Sequence, residues 1–353
     1  MPADDSTLRV RRLLSAAAKH LETVDPNPVV GDVVAQSFDG DDASDPMASG
    51  EAITPHFAEN APGALSLLFR PGGVHASPRD RVETSILAAR RVIDQHLGRD
   101  ARKWLEGRVE PAVARDYRPE RGGGTFGSSF DRFGVAESVV GFNLTGSLID
   151  SLVPALHRLG RMAMSALPGL RPTFTMVRCG RTAGTQQITF DIEQPLALGD
   201  LKPLMHELGL GHQHGSMVSA TAFLLGARFT LPPNTAQLTL RPVRGGVEMR
   251  LDVMLEAIDD PPPQMLSLLR LLMTERPRSL RTLDRWLSAF TPEGFPSAGD
   301  FTVLSVWARH DVPARVALYL RPAALATQPE RAPSRTRPRH ELHHPDEASP
   351  WDS

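Results

Sequence analysis

Five stretches of this chain alternate apolar and polar residues with a period of two, and arginine recurs on the polar side. Residues 247–254 place Val247, Met249, Leu251 and Val253 on one face against Glu248, Arg250 and Asp252. Residues 314–321 set Ala314, Val316, Leu318 and Leu320 against Arg315, Tyr319 and Arg321. The same division runs through 236–242 (Leu238 and Leu240 against Gln237, Thr239 and Arg241) and 187–193 (Ile188, Phe190 and Ile192 against Gln187, Thr189 and Asp191). In 222–231, Phe223, Leu225, Phe229 and Leu231 oppose Arg228 and Thr230. Successive side chains of a strand point to opposite faces, so each stretch is predicted as a strand with one face that must be covered and one that stays polar.

Further strands are predicted at 64–70, near 128–134 and 137–144, and at 173–179 and 301–309. Helical periodicity separates them. Residues 7–22 read as a helix, and a second spans 78–106, capped by Ser77 with Pro78 in its first turn and Val82, Ile86, Ala89, Ile93 and Leu97 on one face. Others lie at 147–166, after Asp200 as far as Gly209, and at 263–290 with a break at Pro277. Runs of strands joined by single amphipathic helices fit neither a parallel α/β fold nor an all-β sandwich. They predict an α+β chain with about ten antiparallel strands and its helices on one side. A sheet of that width splits or closes on itself, and closure removes exposed edges. An open sheet leaves the polar faces in water. A ten-stranded antiparallel β-barrel ringed by α-helices turns them into a lumen, and is the architecture favoured here.

Three regions are expected: residues 1–62, a helix and an irregular acidic connection with one short strand at Val29–Val34; a barrel over 63–322; and a disordered tail over 323–353, too poor in apolar residues to offset its ordering entropy. Histidines 340, 343 and 344 belong to that tail and read as solvated. With 41% hydrophobic and 23% charged residues the chain as a whole is globular. No apolar run reaches membrane-spanning length, and the first residues are acidic rather than leader-like, so a cytoplasmic protein without membrane contact is expected. The single cysteine, Cys179, excludes a disulfide framework. A net charge of −2 argues against a nucleic-acid binder. A monomer is expected.

The chemistry then rests on where the arginines point. In a closed barrel Arg228, Arg241, Arg250 and Arg315 converge on the lumen, with Arg178 and Arg309 as further candidates. Clustered guanidiniums repel unless a polyanion or internal carboxylates neutralise them, and their forks match phosphate oxygens. Glu248, Asp252 and Asp191 supply part of that compensation. The chain has no Walker loop and no GxGxxG after a strand, so scattered strand arginines point to a small diphosphate ester rather than a nucleotide cradle. The His206–His214 segment (HELGLGHQH) is not HExxH, because its second histidine comes six residues after the first, beyond Gly209. No GxSxG occurs. Gly122–Gly124 read as a hinge rather than a phosphate cradle.

The runs QQITFDIEQPLALGDLKPLMHELGL, ATAFLLGARFTLPPN and GGVEMRLDVML, with the terminal DFTVLSVWARHDVPARVALYLRP, resemble the ABBA aromatic prenyltransferases, best over 170–322. The resemblance implies a ten-stranded barrel that holds a prenyl diphosphate and lets an electron-rich indole or phenol attack the allylic cation. Arg228, Arg250 and Arg315 would bind diphosphate, with Arg178, Arg241 and Arg309 supporting them. Tyr319 would combine phosphate contact with shielding of the cation. Glu137, Asp191 and Glu248 compete to orient or deprotonate the acceptor. The chain has only 2 Tyr, which leaves Trp307, Phe130 and Phe142 as further shielding rings. Gly141 or Asn143 stands where a magnesium-dependent branch carries aspartate, so the resemblance implies no required cofactor, with magnesium not indicated though compatible. The alternative class is a non-enzymatic protein on a related scaffold that binds an anionic ligand or a partner.

Overall fold

The computed structural model describes residues 3–37, 52–61, 63–72, 76–114, 117–119, 123–144, 146–258, 262 and 264–325. Its strands are β1 (Ile53–Ala58), β2 (Leu65–Phe69), β3 (Thr125–Asp131), β4 (Gly134–Asn143), β5 (Leu170–Gly180), β6 (Gly184–Ile192), β7 (Leu196–Ala197), β8 (Thr230–Leu231), β9 (Ala236–Val243), β10 (Gly246–Met254), β11 (Gly299–Arg309) and β12 (Val312–Pro322). Ten of these form a closed antiparallel barrel in the order β1-β12-β11-β10-β9-β6-β5-β4-β3-β2, while β7 and β8 pair apart from it. Five hairpins make the ring. Because every neighbour is antiparallel, all five hairpin turns fall at one end of the barrel and all helical connections at the other.

The alternation read from the sequence decides inside from outside. Met249, Leu251 and Val253 are fully buried in the core that the helices cover, together with Val316, Leu318 and Leu320. Their neighbours in register carry the polar set: Arg250 lies between Thr239 of β9 and Trp307 of β11, and Asp252 between Gln237 and Ser305. The one-sided helices are the reason. They remove one face of the sheet from water and leave the other to line the lumen.

Two strand assignments are corrected, and the count stays at ten because they offset. Residues 222–231 are not a lumen strand: His214–Leu224 is a helix whose Met217, Ala220, Thr221 and Leu224 are buried at helical spacing. The chain turns at Gly226 and Ala227, both with positive φ, and only Thr230–Leu231 is extended, against β7. The strand in its place is β1, which zips between β2 and β12. Pro55 hides it in the sequence, since proline speaks against a central strand. The expected strand at Val29–Val34 is likewise part of a helix, Asn27–Ser37, burying Val30, Val33 and Val34 at i, i+3, i+4.

The boundary drawn at residue 63 therefore cuts the barrel's first hairpin. The N-terminal helix Ala3–Leu21 also belongs to the same core, through Val10, Leu14, Ala17 and Leu21. The long helix over 78–106 is two, Pro78–His96 and Arg99–Val113, parted at Gly98 with φ +87°. Its start is a full capping box between Ser77 and Asp80. At the other end Ala323–Leu325 forms a turn with Leu325 buried, and the rest of the expected tail, with its three histidines, lies outside the described residues, as does Gly122.

Candidate active site

The lumen holds a cavity of about 690 Å³ toward the helical end, and a small recess continues it toward the hairpins. Polar residues of nearly every strand reach the cavity: Thr54 of β1, Asn143 of β4, Thr189 and Asp191 of β6, Gln237 of β9, Arg250 and Asp252 of β10, Tyr319 and Arg321 of β12. The recess is lined by His56, Ser129, Glu137 and Arg178. Arg250 and Tyr319 border both spaces and mark the seam between them.

The predicted lumen residues divide into three groups. Arg178, Arg250, Tyr319, Glu137 and Asp191 line the cavity or its recess. Arg241, Glu248, Arg309, Arg315 and Trp307 share the inward register of these strands but sit nearer the hairpin turns, below the open space. Arg228 and Phe130 are not in the lumen. Arg228 follows the helix His214–Leu224 in the loop before β8, outside the barrel. Phe130 pairs with Leu65, is fully buried among the helix-packed residues, and so shields nothing in the lumen. Phe142 points outward in the same way. Phe130 shares the outward parity of Phe126 along β3, and Phe142 that of Val140 along β4. Trp307 is the shielding candidate that does face inward, in register with Arg250 and Arg315 and only 5% exposed.

Charge in the lumen is more evenly matched than the sequence implied. Arg178 Nη1 lies 2.6 Å from Glu137, Arg241 2.8 Å from Glu248, Arg250 2.9 Å from Asp252, and Arg321 2.5 Å from Glu256. Nearer the surface Arg309 meets Asp311 at 3.1 Å. Asp252, 4% exposed, also accepts hydrogen bonds from Ser305 and from Thr239 at 3.4 Å. Asp191 is held by Gln237 at 2.8 Å, Thr173 at 3.2 Å and Arg171 at 3.0 Å. Burial disfavours the Arg250 cation, but Asp252, with Tyr319 and Glu248, more than offsets this and holds its pKa above the ordinary value. Arg315 is shifted the other way, by burial first and then by the neighbouring Arg276, with Glu59 opposing.

Several residues of the site escaped the sequence reading. His56 was hidden with β1; it stacks on Tyr319 with ring centroids 5.1 Å apart and planes 18° from parallel. Burial, reinforced by Arg178 and Arg250, lowers its pKa to about 3. Phe174 lines the cavity beside Gly141, with no room for a side chain between the two. Its parity with Arg178 along β5 was the available signal. Among the described residues no group of three or more His, Cys, Asp or Glu is gathered as a metal site would require. His212 bonds the His310 carbonyl at 3.0 Å, at the hairpin turn of β11 and β12.

No protein-family model and no curated protein sequence matches the chain. Solved structures match it in fold. Prenyltransferase PriB in its apo form has a TM-score of 0.66 at 17% identity, over 91% of this chain and 97% of that one. The 5-dimethylallyl tryptophan synthase from Streptomyces coelicolor, in complex with DMASPP and Trp, gives 0.67 at 16%, over 94% and 99%. The 6-dimethylallyltryptophan synthase from Micromonospora olivasterospora, with the same two ligands, gives 0.69 at 16%, over 91% and 98%. The chain has the closed barrel fold of the aromatic prenyltransferases.

Proposed function

We propose that this chain transfers an allylic prenyl group from a prenyl diphosphate to an indole or phenol. The observation that carries the reading is the seam of the lumen. Arg250, with Tyr319 beside it, faces the open cavity above, and Arg178 faces the recess below. The diphosphate would sit across Arg250 and Arg178, with guanidinium forks rather than a metal ion taking up the charge of the leaving group. The allylic C–O bond then breaks and pyrophosphate carries away the electron pair. Tyr319, His56 and Phe174 would wall the cation against water. The arene's π electrons form the new C–C bond, and loss of a proton from the attacked carbon restores aromaticity. The fold neighbours include 5- and 6-dimethylallyltryptophan synthases, which favours an indole acceptor and a five-carbon donor.

The pairing of lumen arginines with carboxylates favours a second reading, a barrel that binds an anionic or zwitterionic ligand without turning it over. One experiment separates the two: purified protein incubated with dimethylallyl or geranyl diphosphate and a panel of indoles and phenols, followed by mass spectrometry and calorimetry. Prenylated product supports the transferase. Diphosphate binding without product with any acceptor supports the second reading, and neither binding nor product overturns the transferase.

A further inference from the structure

The prenyl transfer proposed above needs a proton acceptor, and the carboxylates of the lumen are poorly placed to be it. Glu137, Asp191, Glu248, Asp252 and Glu256 each hold an arginine at ion-pair distance. A carboxylate so engaged is a weakened base, because protonation must break its pair. Among the described residues, one lumen group has basic character and forms no ion pair of its own. His56 projects from β1 into the recess, stacked on Tyr319, and its Nδ1 is buried without a hydrogen-bond partner. An orphaned nitrogen beside a polar cavity is not a packing requirement; a phenylalanine would stack as well and leave nothing unsatisfied.

Resting on that reading of the function, we infer that the His56 imidazole takes the proton from the prenylated arene. The C–H bond at the attacked carbon breaks, its electron pair returns to the ring, and the proton forms an N–H bond on the imidazole. The charged and titratable groups around this ring are Tyr319 of β12, Arg250 of β10, Arg178 of β5 and Glu137 of β4, all bordering the same recess. Two guanidiniums beside it make imidazolium a short-lived state. The proton passes on to the departing pyrophosphate, which the same two arginines hold, and the base is regenerated neutral. The depressed pKa fits this duty: the ring is unprotonated throughout the physiological range, yet remains a far stronger base than the neutral prenylated arene that the arenium ion leaves behind.

The test compares the parent with His56→Gln, which keeps a polar group of similar size, and with His56→Glu, which restores a base that Arg178 and Arg250 can hold. Three quantities are read: affinity for dimethylallyl diphosphate, kcat, and the isotope effect with an acceptor deuterated at the attacked carbon. Expected for His56→Gln is diphosphate affinity within about threefold of the parent, kcat lower by about 10²–10⁴-fold, and a primary isotope effect absent from the parent. His56→Glu should recover part of kcat. An active parent with His56→Gln equally active and free of an isotope effect overturns the role of His56 and leaves the function standing. A parent that neither binds the diphosphate nor forms product overturns the function, and this role with it. If His56→Gln does not fold, His56→Phe keeps the stack on Tyr319; undiminished turnover in that variant sinks the inference equally.

Discussion

Replacing Arg250 by alanine tests the lumen on two independent scales. In the free protein Arg250 is the cation beside Asp252, which is 4% exposed and lies 2.9 Å away. Removing one member of a buried pair typically costs about 3–5 kcal/mol, because the other charge is stranded. Here Ser305 and Thr239 still donate to Asp252, and the lumen admits water, so a loss nearer 2 kcal/mol is expected. On bare sequence only a small cost is expected, since removing one of several crowded arginines relieves repulsion; the ion pair makes it larger. Arg250→Ala combined with Asp252→Asn removes both charges and should recover most of the loss, with a coupling of about 1–3 kcal/mol in the double-mutant cycle. Denaturant unfolding of the four proteins measures this. On the binding scale, a charge-assisted phosphate contact is worth about 1.5–3 kcal/mol, so Arg250→Ala should weaken dimethylallyl diphosphate by about tenfold to a hundredfold in calorimetry, and Arg250→Lys by less. An Arg250→Ala protein as stable as its parent and binding the diphosphate equally well would refute both the pairing and the ligand role.

Arg228→Ala should leave diphosphate affinity within about twofold, because Arg228 stands outside the barrel; a tenfold loss in calorimetry would return it to the lumen. Phe130→Ala should cost about 3–5 kcal/mol of stability in denaturant melts by opening a cavity in the outer core, while Trp307→Phe should cost less than that. Asp252→Asn should tighten diphosphate binding by several-fold, since Arg250 no longer has to leave a carboxylate; unchanged or weaker binding would show that the pair survives ligand entry. The His56 ring stays neutral in the fold down to about pH 3, whereas the unfolded chain protonates it below about 6.5. The unfolded state thus binds more protons in that window and stability falls as pH drops through it. At pH 5 the parent should have lost about 1–2 kcal/mol that His56→Gln keeps, and parallel acid unfolding curves of the two would contradict this.

The barrel was legible because its strongest signal is a two-residue period, and that period survives in any strand that buries one face. β9, β10 and β12 each show it, and their inward residues include Arg241, Arg250, Arg315 and Tyr319 as read. The signal failed where local chemistry imitates or masks the period. Phe223 and Leu225 alternate by accident inside and just beyond a helix whose true pattern starts at Met217. In β1 a proline and a length of six residues erase the pattern, and His56 vanished with it. In β3 the apolar residues Phe126 and Phe130 sit among glycine and serine, too few to declare a face, so an outward ring reads as a lumen residue. Ion pairing was the least readable property. Glu248 and Arg241 are seven residues apart, and only the hairpin register brings them together.

That pairing bears directly on how an anion would enter. A lumen with uncompensated guanidiniums would be costly to keep folded, so carboxylate partners are what a stable empty barrel requires. They also set a threshold for the guest. A single carboxylate gains little by displacing Asp252 or Glu137, since it replaces one ion pair with a similar one, and a neutral ester loses the ion pair outright. A diphosphate bridging Arg250 and Arg178 offers several charged oxygens to both forks at once, and gains a second contact for the loss of each first. The displaced Asp252 is not stranded, because Ser305 and Thr239 remain as its donors. Glu137, which lines the recess with His56, has among the described residues only Arg178 as a side-chain partner, so its displacement is the larger cost of ligand entry. On the proposed function, the paired lumen would favour multiply charged guests, and the same geometry that stabilises the empty barrel would discriminate diphosphate from simpler anions.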